Sequence, residues 1–353
     1  MFTPLLLLAV AQPPADRQVM LDKAYTALAA KQNPDGSFAP KLGGPGVTAL
    51  TAAALLKAGK SPDDPVVAKA LKYLEVRVKP DGGVYDQRLG NYTTCLAILA
   101  FQEANAGGRY NSVIANAVKF VKAIQQGDGT AADDPGYGGV GYDAKRGRPD
   151  LSNTQFFVEA LLAAGVPKDD PSIKKAVAFV GRAQNLPGEF NTLEYAKKAG
   201  DDDRGGFVYS PTQPDGKDKQ SATGGLRSEG GMTYAGLKTF LYAGVSKDDP
   251  RVVAARKWVS KHYTLAENPG MKSAGLFYYY HTFAKALAAV GDAEVVDAAG
   301  VKHDWKAELV AELKKRQKPD GTWANDDQAF METSPELATA FAVLALSYCD
   351  TRK

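Results

Sequence analysis

Three stretches of the chain spell nearly the same phrase: Ala58-Gly59-Lys60-Ser61-Pro62-Asp63-Asp64-Pro65, Ala164-Gly165-Val166-Pro167-Lys168-Asp169-Asp170-Pro171 and Ala243-Gly244-Val245-Ser246-Lys247-Asp248-Asp249-Pro250. Each reads as a helix stop followed at once by a helix start. Glycine supplies the left-handed residue that ends one helix, aspartate caps the next, and proline fits its first turn. The segments that follow, Ala68–Leu74, Lys174–Val180 and Ala254–Val259, carry their charge on one face and read as half-exposed helices. The segments that precede, Val47–Leu56, Thr154–Ala164 and Thr233–Ala243, are apolar nearly all round, the pattern of a helix buried on every side. An outer helix and an inner helix thus form one repeating unit.

Degenerate copies extend the series. Outer helices are predicted near 17–31, 65–77, 111–125, 171–183, 250–263 and 305–317, and inner ones near 46–58, 92–104, 152–164, 232–243, 275–289 and 335–348. Strand patterning is almost absent. The last inner segment, Leu337–Leu346, is as apolar as the middle ones, whereas an open solenoid ends in polar caps. The expectation is an all-α fold, an α6/α6 toroid closed by contact between its first and last hairpins.

Composition narrows the function classes. The 353 residues are 44% hydrophobic and 24% charged, with a formal net charge of +3 in no long runs, which argues against disorder and against a nucleic-acid partner. Cys95 and Cys349 form neither a disulfide framework nor a pattern of zinc spacing, so neither a metal nor a cofactor is expected. The apolar run Phe2–Ala11 is about half the length of a membrane span, and no transmembrane segment is expected. Its Leu5–Leu8 core and its small-x-small end Ala9-Val10-Ala11 read as a signal peptide, although no basic residue precedes it. The expected organisation is a signal peptide or apolar tail over 1–15 and one toroid domain over 16–350. The corresponding location is the periplasm or the exterior if the tail is a signal, and the cytoplasm otherwise. Nothing in the sequence specifies an oligomeric state.

A second signature closes the outer helices: Gln32-Asn33-Pro34-Asp35-Gly36-Ser37-Phe38 and Gln317-Lys318-Pro319-Asp320-Gly321-Thr322-Trp323, with weaker forms at Lys79–Val84 and Gln125–Gly129. Over residues 17–348 this resembles the glutamine-tryptophan repeat of squalene and oxidosqualene cyclases, which is related to that of protein prenyltransferase β subunits. The resemblance implies a toroid whose inner helices line a central cavity, and structural roles for Gln32, Gln317, Phe38 and Trp323. It does not carry the chemistry. Cyclases of this family protonate an alkene with the middle acid of an Asp-x-Asp-Asp-Thr segment. The matching segment here is Asp150-Leu151-Ser152-Asn153-Thr154, with serine in the donor's place. A hydroxyl cannot protonate an alkene, and Ser152 reads as the helix cap. The prenyltransferase zinc motif fails at Thr93, two residues before Cys95, which reads as a small buried hydrophobe. The Gly-Cys-Gly-Glu-Gln loop of thioester domains is absent.

Phe277-Tyr278-Tyr279-Tyr280-His281 opens the fifth inner segment, and at 100° per residue Phe277, Tyr280 and His281 share a face. That face is expected to look into the cavity, Tyr280 beside His281 being a usable proton-transfer pair. Arg227-Ser228-Glu229-Gly230-Gly231-Met232-Thr233-Tyr234 opens the fourth, where two glycines admit close backbone approach. Glu332 and Glu336 stand at the mouth of the sixth, Glu336 as a first-turn acid. The candidate catalytic residues are Tyr280, His281 and Glu229. The candidate ligand-binding residues are Asp150, Phe156, Met232, Tyr234 and Phe277. Two long Gly/Asp-rich connections, 127–151 and 185–230, read as ordered flaps over one end of the ring, and Asp201-Asp202-Asp203 reads as solvated.

Three functions of different kinds fit. The first is a terpene-cyclase- or prenyltransferase-like toroid that holds an isoprenoid or other apolar ligand in its centre. The second is a secreted carbohydrate-active enzyme, a polysaccharide lyase or hydrolase. The third is a non-catalytic protein-interaction domain. All three tryptophans lie on outer helices or turns, which weakens the glycan reading.

Overall fold

The computed structural model describes residues 13–212 and 219–350. The expected signal segment falls largely on residues 1–12, outside the described residues. Among the described residues twelve helices of eleven residues or more run in chain order: α1 (Pro13–Lys31), α2 (Pro45–Lys57), α3 (Pro65–Glu75), α4 (Gly90–Glu103), α5 (Asn111–Ala123), α6 (Leu151–Ala163), α7 (Pro171–Arg182), α8 (Gly230–Tyr242), α9 (Pro250–Lys261), α10 (Leu276–Val290), α11 (Trp305–Arg316) and α12 (Pro335–Ser347). The odd-numbered helices are outer and the even-numbered inner. A two-stranded antiparallel ribbon, β1 (Val295–Val296) with β2 (Lys302–His303), sits between α10 and α11 and pairs Val295 with His303.

The inner helices pack in cyclic order: α2 on α4, α4 on α6, α6 on α8, α8 on α10, α10 on α12, and α12 back on α2. The outer layer closes too, because α1 packs on α11 and α12. Arg17 on α1 donates to the Leu346 carbonyl at 2.7 Å, and Lys314 on α11 pairs with Asp16 at 2.8 Å. The fold is the closed α6/α6 toroid.

The repeated phrase performs as its chemistry dictates. Gly59, Gly165 and Gly244 take φ of +96°, +81° and +85°, and the N–H of the following residue reaches back to Leu55, Leu161 or Phe240. Asp64, Asp170 and Asp249 then accept N–H groups of Val66, Ser172 and Arg251 at 3.0, 2.8 and 2.9 Å.

The glutamine signature ties four of the six outer helices to the next. Gln32 donates to Gly36 and to Val66 on α3, and Gln125 to Gly138 and Ser172 on α7. Gln184 donates to Gly205 and Arg251 on α9, and Gln317 to Gly321 and Met20 on α1. The residue closing the turn then donates its N–H inward to an inner-helix threonine: Phe38 to Thr48, Val84 to Thr94, Val140 to Thr154, Phe207 to Thr233, Trp323 to Thr339. Gln32, Phe38, Gln317 and Trp323 are structural. The partner of Gln125 is Gly138, beyond the Gly127 and Gly129 of the sequence reading, because an inserted loop separates helix end from turn. Gln184, with its turn glycine 21 residues on, escapes sequence reading for the same reason.

Candidate functional site

All six inner helices run parallel, so their N-termini meet at one end of the ring. The flaps cover that end. Tyr142 of the first accepts the N–H groups of Asn91 and Tyr92 at 3.0 and 3.3 Å, while Tyr209 of the second accepts that of Leu151 at 2.8 Å. Glu332 caps α10 by accepting from the N–H groups of Phe277 and Tyr278 at 3.1 and 2.7 Å. Burial raises its carboxyl pKa above the usual range, against the pull of these bonds.

Backbone strain gathers at the same end. Among the described residues the positive-φ non-glycines are Ala39, Leu89, Lys272, Phe330 and Met331, all in connections that lead from an outer helix into an inner one. Such conformations cost about 1–3 kcal/mol each and concentrate at functional sites.

Asp150 lies in this mouth with 1% of its surface exposed. It takes extended backbone as the N-cap of α6 and accepts the Asn153 N–H at 2.8 Å and the Asn153 amide at 2.9 and 3.1 Å. Burial raises its pKa to about 6, despite those bonds and the nearby Arg148. The cap is therefore Asp150, where the sequence reading placed Ser152. A cap whose carboxyl is this dry is a proton-exchanging group near neutrality.

Tyrosines surround it. The Tyr209 and Tyr142 hydroxyls are 3.2 Å apart, and the Tyr92 ring lies 6.0 Å from Tyr142 and 5.7 Å from Phe156. Tyr142, Tyr209 and Tyr92 keep part of their surface open to solvent. Tyr278 forms the opposite wall, 5.6 Å from Phe341 and 6.0 Å from Phe330. Beneath, His281 is stacked between Phe156 at 6.2 Å and Phe341 at 5.6 Å. Neither of its ring nitrogens has a hydrogen-bond partner among the described residues, and burial with the ammonium groups of Lys285 and Lys238 holds it neutral, well below its usual pKa.

The helical phase of α10 differs from expectation. Tyr278, His281 and Lys285 face the axis, while Phe277 and Tyr280 pack against each other at 5.9 Å, off it. The Tyr280 and Tyr279 hydroxyls donate to Leu265 and Thr264 at 2.6 and 2.7 Å. These bonds hold the one connection, between α9 and α10, where no inner-helix threonine does so. Tyr280 thus makes no pair with His281. Tyr234 is likewise turned aside, against Tyr279 and Phe283 at 5.7 and 5.0 Å. On α8 it is Gly231 that fronts Tyr278, where a Cβ would come within 3.2 Å of the ring. Met232 is buried in the core, and Glu229 is buried at the N-cap of α8, its N–H donating to Phe207 at 2.9 Å. The structure brings Asp150, Phe156 and His281 together; it adds Tyr92, Tyr142, Tyr209 and Tyr278 and leaves Tyr280, Phe277 and Tyr234 outside.

The expected open axial cavity is filled at mid-depth. Phe156, His281, Phe341 and Lys238 are at most 3% exposed, and Phe156 and Phe341 pack on the two faces of the His281 ring. Below them Glu159 on α6 joins Lys238 on α8 at 2.8 Å and also Lys285 on α10, and Gln155 accepts from Lys238. The lysines outweigh the effect of burial and hold the Glu159 carboxyl far below the usual range. Among the described residues no three His, Cys, Asp or Glu side chains are grouped to hold a metal, and no helix is long and apolar enough to cross a membrane. Cys95 is buried with its thiol near Asn91 at 3.4 Å. Asp201 and Asp202 are exposed as expected, whereas Asp203 is buried and accepts from Ser228 N–H at 2.7 Å.

Comparison with known proteins agrees with this architecture. The sequence profile of the squalene–hopene cyclase C-terminal domain matches residues 41–200. Curated protein sequences give no significant match. Among solved structures, the type II terpene cyclase MstE from Scytonema is similar at 14% identity and a TM-score of 0.56, covering 94% of this chain and 98% of that one. A protein from Actinoplanes is similar at 13% identity and 0.57, covering 94% and 99%. A glycosidase variant is similar at 12% identity and 0.52, covering 94% and 96%.

Proposed function

We propose that this α/α toroid, which is similar to squalene cyclases, holds an isoprenoid or other apolar ligand in the tyrosine-lined mouth at the N-terminal ends of its inner helices, with Asp150 exchanging a proton with the ligand's polar end. The observation that carries this reading is a carboxyl of pKa about 6, 1% exposed, among Tyr142, Tyr209 and Tyr278. Aromatic faces bind apolar chains and stabilise positive charge that develops on them. The MstE cyclase has been solved with geranylgeranyl dihydroxybenzoate as its substrate, a ligand of this class.

The reaction differs from alkene-initiated cyclisation. Serine fills position 152, and a carboxyl of pKa about 6 is too weak an acid for an alkene. It suits a hydroxyl or a carbonyl. Incubation with squalene is expected to give no cyclised product, and an Asp150-dependent one would overturn this assignment.

A carbohydrate reading is favoured by one feature, that Asp150 and Glu229 are both buried N-cap residues of the neighbouring inner helices α6 and α8. Paired carboxyl groups cleave glycosidic bonds. Titration with farnesol, geranylgeraniol and a panel of oligosaccharides decides between the two. The proposal expects the isoprenoid alcohols to bind and Tyr142→Ala to weaken them at least tenfold. Oligosaccharide binding without isoprenoid binding transfers the site to the second reading.

A further inference from the structure

At the opposite end, where the inner helices stop, a depression of about 570 Å³ is lined by Leu99, Leu162, Leu241 and Val166, by Tyr242 and Tyr348, and at its base by Glu159 and Lys285. Lys57, Glu103 and Lys168 stand at its rim. The buried base is unbalanced. Lys238 and Lys285 share one carboxylate, Glu159, and all three are at most 7% exposed. Among the described residues the only other acid lining the depression, Glu103, is engaged by Lys57 at 3.0 Å. His281 stays neutral, and Tyr242 and Tyr348 have pKa values raised by burial, so neither supplies a negative charge.

Burying an unmatched charge is costly, and proteins avoid it by pairing or by neutralising the group; burial lowers the Lys238 pKa to about 8, which leaves it protonated at neutral pH. The helix C-termini contribute only a diffuse negative field, because their carbonyls are already met by turn N–H groups such as Gly59 to Leu56 and Gly165 to Leu162. Lys285 gives one of its three N–H groups to Glu159, which leaves donors at the base of the depression. We propose that this depression is a second ligand site, which takes a monoanionic carboxylate with an apolar body. The carboxylate accepts from Lys285 and neutralises the base, and the body lies against Leu99, Leu162 and Leu241. A doubly charged phosphate would overcompensate a single excess charge and leaves the apolar walls unused.

The test is calorimetric titration of the full chain with octanoate, with octanol as the neutral isostere, and with inorganic phosphate. Octanoate is expected to bind at least tenfold more tightly than octanol, with no phosphate binding. Lys285→Met should abolish the preference for octanoate, and Lys285→Arg should retain it. Equal binding of octanoate and octanol, octanoate binding untouched by Lys285→Met, preferential phosphate binding, or no octanoate binding at all would each overturn the proposal. Should Lys285→Met fail to fold, the octanoate–octanol comparison on the natural chain still decides.

Discussion

The side-chain amide of Gln317 donates to the backbone carbonyl of Met20, 297 residues earlier, at 3.0 Å. The same amide in Gln32, Gln125 and Gln184 joins an outer helix to its successor. In Gln317 it joins the last to the first and so closes the ring.

Closure makes this one bond testable. Gln317→Leu removes the two hydrogen bonds to the Met20 and Gly321 carbonyls, each worth about 0.5–1.5 kcal/mol. Chemical denaturation should shift to lower midpoint with a single transition. Deleting residues from 305 onward should unfold the chain cooperatively, whereas retention of a folded five-hairpin remnant would mean that closure contributes little.

Gly138 supplies a sharper packing probe. Its φ is +87°, and a Cβ there would lie 1.9 Å from the Lys175 carbonyl oxygen on α7. Gly138→Ala combines a left-handed alanine, about 1–2 kcal/mol, with a backbone collision that forces α7 away. The variant should melt well below the natural protein, and an unchanged Tm would show that the flap does not dock as described.

The helical content and the closed ring were legible because both depend on local chemistry: Gly, Asp and Pro at the repeated turns fix helix ends, and all-round apolarity fixes which helices lie inside. The site was legible only in part. Asp150 and Phe156 were readable from their place at an inner-helix start. The phase of α10 was not, since Phe277–Tyr280 is aromatic at every position and the choice of Tyr278 over Tyr280 rests on hydroxyl partners at Thr264 and Leu265. The Glu159, Lys238 and Lys285 cluster was hidden because each charge stands alone in an apolar helix and the three meet only across α6, α8 and α10.

That cluster predicts an asymmetry between its members. Glu159→Gln leaves two buried lysines without a counter-ion and should cost about 3–5 kcal/mol. Lys285→Met leaves a one-to-one pair with Lys238 and should be far milder, near neutral. Thermal melts of the two variants check the order, and equal losses would contradict the charge count.

His281 predicts a pH effect. Its folded-state pKa lies well below 6.5, so below about pH 6.5 the unfolded chain takes up a proton that the folded chain refuses, and stability falls. Asp150, with its folded pKa raised to about 6, acts in the opposite direction, gaining stability as pH falls from about 6 to 4. His281→Leu removes the first effect and two unpaired buried nitrogens, and should stabilise by about 1–2 kcal/mol at pH 7, with the advantage growing on acidification. A variant that loses stability at every pH would show that the imidazole has a partner.

The most direct test of the mouth as the ligand site is photo-crosslinking with a diazirine-bearing geranylgeraniol, followed by peptide mapping. The account predicts label on the segments that carry Tyr142, Tyr209 and Tyr278, displaced by excess geranylgeraniol and reduced in Tyr142→Ala. Displaceable label confined to the segments around Leu162 and Leu241 at the other end of the ring, or no displaceable label anywhere, would contradict it.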